Sequence, residues 1–527
     1  MYDIRHAGSL TGVAQLGEMH VMRHSNRLVG AAIAVALLAA GCGSSGGNKA
    51  TNSTTVSGST SGAATTAGTN TASDTGVTAT TIKVVIHGAD LSGLVKAGAI
   101  KGVPEDAGPS NALRISYYLD KWNAAGGING RKFIYQFVSW DPADPKTFQT
   151  SCQQIIDAKP FIVIAAGGGF PPDSTPCIAV DGNIQYMGID AVSAQQFKDM
   201  NGNFINLSPP GSASAQAGIQ ALVKDPNLLP KTAKVAVLRG DYDFQAAAFA
   251  EVDKVLKAQG YNVVFSDAIK IANLPQTDGN ANVSLAVQKV KAGGADHVID
   301  MLPFTYFTVF PTEATKEGLS LKYSIIEISS GMCTAFSAGQ LPPELEGAPC
   351  VTHWNNFRLD TSGVVATDTP FEAQCRKDFE ATYATTPVGK GFPVITKTNP
   401  GVPYPGFKDG TGKQLDMDQS YYECNLMNIV KTGITGAGAN LTKKTFQAAI
   451  FKQGTFDAAG IAGGKGSLAA NKLWLASNLQ EVTVTSNPNG FKGPADANGL
   501  YGGKCLSPLA CFKTVPGTIV PLTYTLS

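Results

Sequence analysis

A run of nine residues carries the most chemistry in this sequence. Residues 161–166 are apolar and read as a buried strand, and Gly167-Gly168-Gly169-Phe170-Pro171-Pro172-Asp173-Ser174-Thr175 follows them. Glycines at a strand end leave backbone N–H groups available. The Ser174 hydroxyl adds a donor, and the start of a following helix is electropositive. Such a loop suits the acid end of a small molecule. The same glycines also serve a tight strand-to-helix turn, and both readings stand.

Other polar and aromatic residues follow other apolar runs. Asp190 comes after 184–188. Asp241, Tyr242 and Phe244 come after 234–238, and Phe304 and Tyr306 after 298–301. Glu327 stands near the end of 324–328. Carboxylates such as Asp190 and Glu327 can receive a cationic amine through charge-assisted hydrogen bonds. Aromatic rings cover an apolar body. Each residue taken alone also reads as turn or core.

Enzyme chemistry lacks its usual signatures. Beyond residue 47 the sequence holds no Gly-x-Ser-x-Gly elbow, no His-Glu-x-x-His, no Walker loop and no dinucleotide glycine fingerprint. Beyond the N-terminal segment the histidines are His87, His297 and His353, and only His87, at the end of the first strand, faces a possible cleft. A lone strand-end histidine more often packs than catalyses. No Cys-x-x-Cys pair exists, so no metal site is expected, and no cofactor is called for. Charged residues are 15% and net charge is +1, so no nucleic-acid or polybasic membrane surface is indicated.

These residues need elements to position them, and the clearest lie in 117–145. Ile115, Tyr118, Leu119 and Trp122 fall at three- and four-residue spacing and give a helix an apolar face. Gly126-Gly127 ends it. Asn129-Gly130 turns the chain, and Phe133, Tyr135 and Phe137 alternate as in a strand. The wording Asn123-Ala-Ala-Gly-Gly-Ile-Asn-Gly-Arg-Lys132, continued by Asp141-Pro142 and Asp144-Pro145, resembles the type I periplasmic solute-binding proteins, in the branch of the branched-chain amino-acid receptors. Residues 76–93 resemble the opening of that family. Asp241 and Tyr242 match an aspartate and tyrosine common in relatives, although the glycine expected after them is absent.

The resemblance implies an α/β fold. Two Rossmann-like lobes of parallel sheets flanked by helices would be joined by three hinge crossings. Lobe I would hold 76–207 and 353–470, and lobe II 208–352 and 471–527. The crossings are expected near 204–210, near 350–357 and within 473–485, and 386–414 reads as an insertion. The cleft would set Gly168, Gly169, Phe170, Ser174 and Asp190 against Tyr242, Phe244, Phe304 and Glu327. The first group would take an acid, Asp190 and Glu327 an amine, and the rings the apolar part. The implied function is capture of an amino acid or small organic acid for an ABC importer, with permease subunits as partners and a monomeric binding protein. A ligand sensor without transport and an exported enzyme are the alternatives.

The N-terminal region reads as an export and anchoring device. From Met22, Arg23 and Arg27 precede an apolar run at 28–40, too short at about 13 residues for the ~20 of a bilayer span. Ala39-Ala40-Gly41-Cys42 resembles a lipoprotein lipobox, so 1–41 would be a signal peptide and Cys42 the lipid-bearing residue at the extracytoplasmic face of the membrane. Residues 42–75 are rich in Gly, Ser and Thr and read as a disordered tether. Of nine cysteines, Cys42 is thus explained and eight remain. Eight allow 105 pairings. The shortest loops give Cys152–Cys177, Cys333–Cys350, Cys375–Cys424 and Cys505–Cys511.

Overall fold

Burial on both faces marks the first strand. In β1 (Thr81–Ala89) Ile82, Val84 and Ile86 point one way and Val85 and His87 the other, and all are fully buried. Only a sheet covered by helices on both sides does this. The protein is described by a computed structural model covering residues 69–90, 107–141, 144, 146–167, 174–272, 274, 276–329, 331–333, 341–355, 358, 359, 369–384, 420–485, 511–515 and 517–526. The signal segment, Cys42, most of the tether, Gly168, Gly169, Phe170, the 386–414 insertion and Cys505 lie outside these residues.

After β1 come α1 (Ala107–Ala124), β2 (Lys132–Trp140), α2 (Lys146–Ala158) and β3 (Ile162–Ala166). Then follow β4 (Gln185–Gly188), α3 (Ala194–Asp199) and β5 (Phe204–Asn206). The strands form a parallel sheet in the order β2-β1-β3-β4-β5. Helix α1 buries Ile115, Leu119 and Trp122 on the sheet. Gly127, at φ +91°, ends the turn after it, and a Cβ there would meet the Arg131 carbonyl oxygen at 2.1 Å.

The chain then repeats the plan with α4 (Gly211–Lys224), β6 (Lys234–Gly240), α5 (Asp243–Ala258), β7 (Asn262–Phe265) and β8 (Ala268–Ile269). Next come α6 (Gln276–Gly293), β9 (His297–Asp300), α7 (Val309–Lys316), β10 (Lys322–Ile326) and β11 (Pro349–Thr352). Five of these strands lie parallel as β7-β6-β9-β10-β11, the same out-and-back order as the first sheet. Helix α6 begins ten residues before the 286–293 read from sequence. Gly279 masks its start, and that glycine is needed because a Cβ would lie 2.1 Å from the Tyr306 hydroxyl. Residues 350–352 belong to β11, so the second crossing begins at His353.

After β12 (Arg358–Leu359) the chain forms α8 (Pro370–Ala384), α9 (Ser420–Ala437) and α10 (Lys443–Gln453). These return to the first sheet: Phe446 of α10 meets Phe161 edge-on at 5.8 Å. A hairpin of β13 (Thr455–Asp457) and β14 (Lys465–Ser467) follows. Then β15 (Asn478–Thr485) joins the second sheet antiparallel to β11, and β16 (Cys511–Thr514) pairs with β15. Short β17 (Val520–Pro521) also pairs with β15, and Leu526 N–H donates to Asn471 O at 2.9 Å.

Three crossings join the lobes and bond to one another. Leu475 N–H donates to Asn206 O at 2.9 Å and Ala476 N–H to Leu207 O at 3.0 Å. Ala462 N–H donates to His353 O at 2.9 Å, and Gln480 Nε2 to Trp354 O at 3.0 Å.

The disulfides Cys152–Cys177, Cys333–Cys350 and Cys375–Cys424 span Cα distances of 6.4, 6.6 and 5.6 Å. Cys511 opens β16.

The entering chain is fastened to the first lobe. Arg131, fully buried, donates from Nε to Thr78 O at 2.9 Å and from Nη1 to Gly438 O at 3.1 Å. Its Nη2 donates to Thr71 O at 3.1 Å and Ala439 O at 2.6 Å. A guanidinium suits the carbonyl-rich end of α9. Asp74 Oδ2 accepts from Lys443 N–H at 2.8 Å, at the start of α10.

Candidate functional site

The strand order reverses at β1/β3 in one sheet and at β6/β9 in the other. Open α/β sheets bind ligands beyond the strand C-termini at such points. In the first sheet the chain leaves β3 at Gly167, with φ +78°. Gly167 N–H donates to Glu423 Oε1 at 3.3 Å. Glu423 lies in the first turn of α9, and its Oε2 is 3.6 Å from Arg114 Nη1 on α1. Both side chains are buried. Burial pushes the Glu423 carboxyl up to about 7, against the pull of Arg114.

Two further groups on this edge serve the protein itself. His87 Nε2 lies 3.2 Å from the Ser151 hydroxyl, with its ring 5.7 Å from Phe148. Burial pushes this imidazole down to about 3, so it is neutral at physiological pH. Asp190 Oδ2 accepts from the Thr175 hydroxyl at 2.7 Å, and its main-chain carbonyl from Asn206 Nδ2 at 2.8 Å. Burial raises the Asp190 carboxyl to about 6, and the Thr175 and Tyr186 hydroxyls limit the rise.

On the second sheet, β6 ends at Gly240, and Asp241 follows it. Asp241 Oδ1 accepts from the N–H groups of Ile271 and Ala272 at 2.8 and 2.7 Å. Tyr242 stands at the N-cap position of α5, half-buried, with its ring 5.8 Å from that of Phe244. Phe244 is itself buried, against Gly211 at the start of α4. Tyr306 is buried over Gly279, inside this lobe. Asp300 ends β9. Its Oδ1 accepts from Leu302 N–H at 2.9 Å, and burial raises the carboxyl to about 8.

Glu327, just past β10, is fully buried. Its Oε1 accepts from Gly331 and Met332 N–H at 2.8 and 2.9 Å, and its Oε2 from the Thr352 hydroxyl. Burial still raises it to about 7. The Thr352 oxygen in turn accepts from Trp354 N–H at 2.9 Å, so Glu327 positions the second crossing. There His353 Nε2 meets the Ser208 hydroxyl of the first crossing. The Trp354 ring lies 4.5 Å from that of Tyr422, beside Glu423.

The site read from sequence is therefore only partly assembled among the described residues. Gly168, Gly169 and Phe170 lie outside them. Ser174 opens a one-turn helix, Ser174–Pro176, and Phe304 opens another, Phe304–Phe307; their side chains are not among those described. Asp190 and Glu327 lie on separate sheets, each bonded to donors of its own lobe. Arg114, Asp300 and Glu423 were not read as site residues. Arg114 left one signal: it stands four residues before Tyr118, on the face of α1 that should be apolar.

A family model described as periplasmic binding protein matches residues 99–390, more than half of the chain. The chain belongs to that family. Solved structures share the fold of this periplasmic binding protein at low identity. A fatty acid ABC transporter substrate-binding protein from Thermomonospora curvata is 14% identical with a TM-score of 0.53, over 78% of this chain and 90% of that one. A solute-binding protein of an ABC transporter from Rhodopseudomonas palustris BisB5, in complex with 3,4-dihydroxybenzoic acid, is 12% identical at 0.55, over 84% and 98%. The leucine-, isoleucine-, valine-, threonine- and alanine-binding protein of Brucella ovis is 13% identical at 0.52, over 85% and 95%. A biotin synthase from Geobacter metallireducens matches over 52 residues at 42% identity. That match spans 10% of this chain and 16% of the synthase, well short of a shared domain. Membership of the periplasmic binding protein family makes the chain a binding protein rather than an enzyme.

Proposed function

We propose that this periplasmic binding protein captures a small organic or amino acid for an ABC importer. Lipid on Cys42 would hold it to the extracytoplasmic face of the cell membrane, and it would work as a monomer with the permease subunits. The observation that carries the reading is the duplicated strand order. It gives two lobes, each with a ligand-competent switch point, joined by three mutually bonded crossings. Ligand contacts from both lobes then favour the closed state. Lobe I takes 76–207 and 353–470, and lobe II 208–352 and 471–527. The packing of α10 on Phe161 and the place of β15 in the second sheet support this division.

In this reading Gly168, Gly169 and Ser174 hold the acid end, and Phe170, Tyr242 and Phe304 cover the apolar part. Asp190 and Glu327 act from behind, through Thr175 and Thr352. Relatives of the same fold are named for a fatty acid, a dihydroxybenzoic acid and aliphatic amino acids, which supports a small acid. A thermal-shift screen over amino acids, fatty acids, aromatic acids and amides tests it. A true ligand at a hundredfold excess over Kd stabilises by about 2.7 kcal/mol. No shift from any of these classes would reject the reading. Cys42→Ser should move the exported protein from the membrane to the soluble fraction, and an already soluble wild type would reject the anchor.

A further inference from the structure

We propose that Arg114 reads the acid group of the ligand and that Glu423 holds its place in the unliganded protein, which makes a carboxylic acid the ligand class. This rests on the solute-binding reading above and deepens it.

A backbone N–H and a guanidinium converge here on one carboxylate, at the C-terminal end of β3 beside the switch point. That donor set is the one proteins use to bind an acid. The occupant is the protein's own. Its distances of 3.3 Å to Gly167 N–H and 3.6 Å to Arg114 exceed the ~2.7–2.9 Å of a well-made charged bond. Glu423 is therefore loosely held. Its carboxyl, raised to about 7 by burial, also sheds its charge readily near neutral pH. Its own backbone N–H, in the first turn of α9, is a further partner of the carboxylate. Arg114, by contrast, keeps its charge at any physiological pH.

The position also couples to the hinge. Tyr422, the residue before Glu423, packs on Trp354 of the second crossing. A ligand acid that displaces Glu423 thus disturbs the first turn of α9 where it supports that crossing. The competing account is a plain salt bridge that pins α1 to α9. It predicts lost stability on substitution and no effect on ligands.

The test uses matched pairs on the exported chain: 4-hydroxybenzoate, hexanoate and leucine, each with its primary amide, by thermal shift and calorimetry. At least one acid should bind wild type while its amide does not. Glu423→Gln removes the competing charge and should tighten that acid about tenfold. Arg114→Met alone leaves a buried carboxylate without its cation and can fail to fold, so it is made together with Glu423→Gln. That double variant should fold and bind the acid at least about tenfold more weakly than wild type. An acid affinity unchanged by Glu423→Gln overturns the proposal. So does an amide bound as tightly as its acid, which leaves the solute-binding reading standing. Wild type indifferent to all three acids overturns it as well, and the wider screen then decides the solute-binding reading by itself.

Discussion

His353 Nε2 lies 3.0 Å from the Ser208 hydroxyl, and this contact ties the second interlobe crossing to the first. Burial drives the imidazole down to about 3, so a neutral ring makes the bond. Ser208→Ala would leave a buried ring nitrogen without that partner. The expected loss is about 1–3 kcal/mol of stability in urea denaturation. A loss below experimental error would show that the crossings are held by their backbone bonds alone.

Glu327 gives a pH prediction with a definite sign. Its carboxyl moves from the usual 4.5 to about 7 in the folded protein. Below pH 4.5 both folded and unfolded chains hold the proton, and the full stability is present. As pH rises to 7 the unfolded chain releases it first, so stability drains away, and above 7 the loss is constant. Glu327→Gln does not titrate. The wild type should therefore fall by roughly 3 kcal/mol relative to this variant between pH 4.5 and 8, at ~1.4 kcal/mol per pH unit. His87 and His353 oppose this trend but are common to both proteins. An equal difference at both pH values would refute the burial cost.

The disulfides should rank by the length of chain they close. Cys375 and Cys424 are separated by 49 residues, and Cys333 and Cys350 by 17. Chain entropy assigns them about 4 and about 3 kcal/mol. Paired serine substitutions, compared by denaturant midpoint, should show the larger loss at Cys375/Cys424. The reverse order would mean that native-state packing, rather than loop closure, sets their worth.

Tyr242 is the candidate residue whose geometry best suits a direct ligand contact, being half-buried at the start of α5. Tyr242→Ala should weaken a confirmed ligand by ~1–3 kcal/mol and leave the fold intact. Unchanged affinity by calorimetry would remove Tyr242 from the site. Loss of folding together with binding would mark it as core, like its neighbour Phe244.

The fold was legible where a pattern is local. Phe133 is buried and Ile134 exposed, so the alternation of β2 is written in the sequence itself. Strand ends were legible too, because Asp190, Asp241 and Glu327 each interrupt an apolar run. Their roles were not. A carboxylate at a strand end looks the same in sequence whether it faces a ligand or a neighbouring hydroxyl. Thr175 lies 15 residues from Asp190, and Thr352 lies 25 from Glu327. The Gly167–Glu423 contact spans 256 residues, beyond any spacing rule. Only the misplaced charge of Arg114 hinted at it.

The clamp around Arg131 determines how the molecule bears load. Residues 71–78 are bonded through Arg131 to the carbonyls after α9, and through Asp74 to the start of α10. These are first-lobe elements. A pull on the chain before residue 69 is therefore spent on one lobe, in shear against several hydrogen bonds at once. The force does not run through the Ser208–His353 crossings. Drag or thermal motion at the N-terminus therefore leaves the angle between the lobes unloaded.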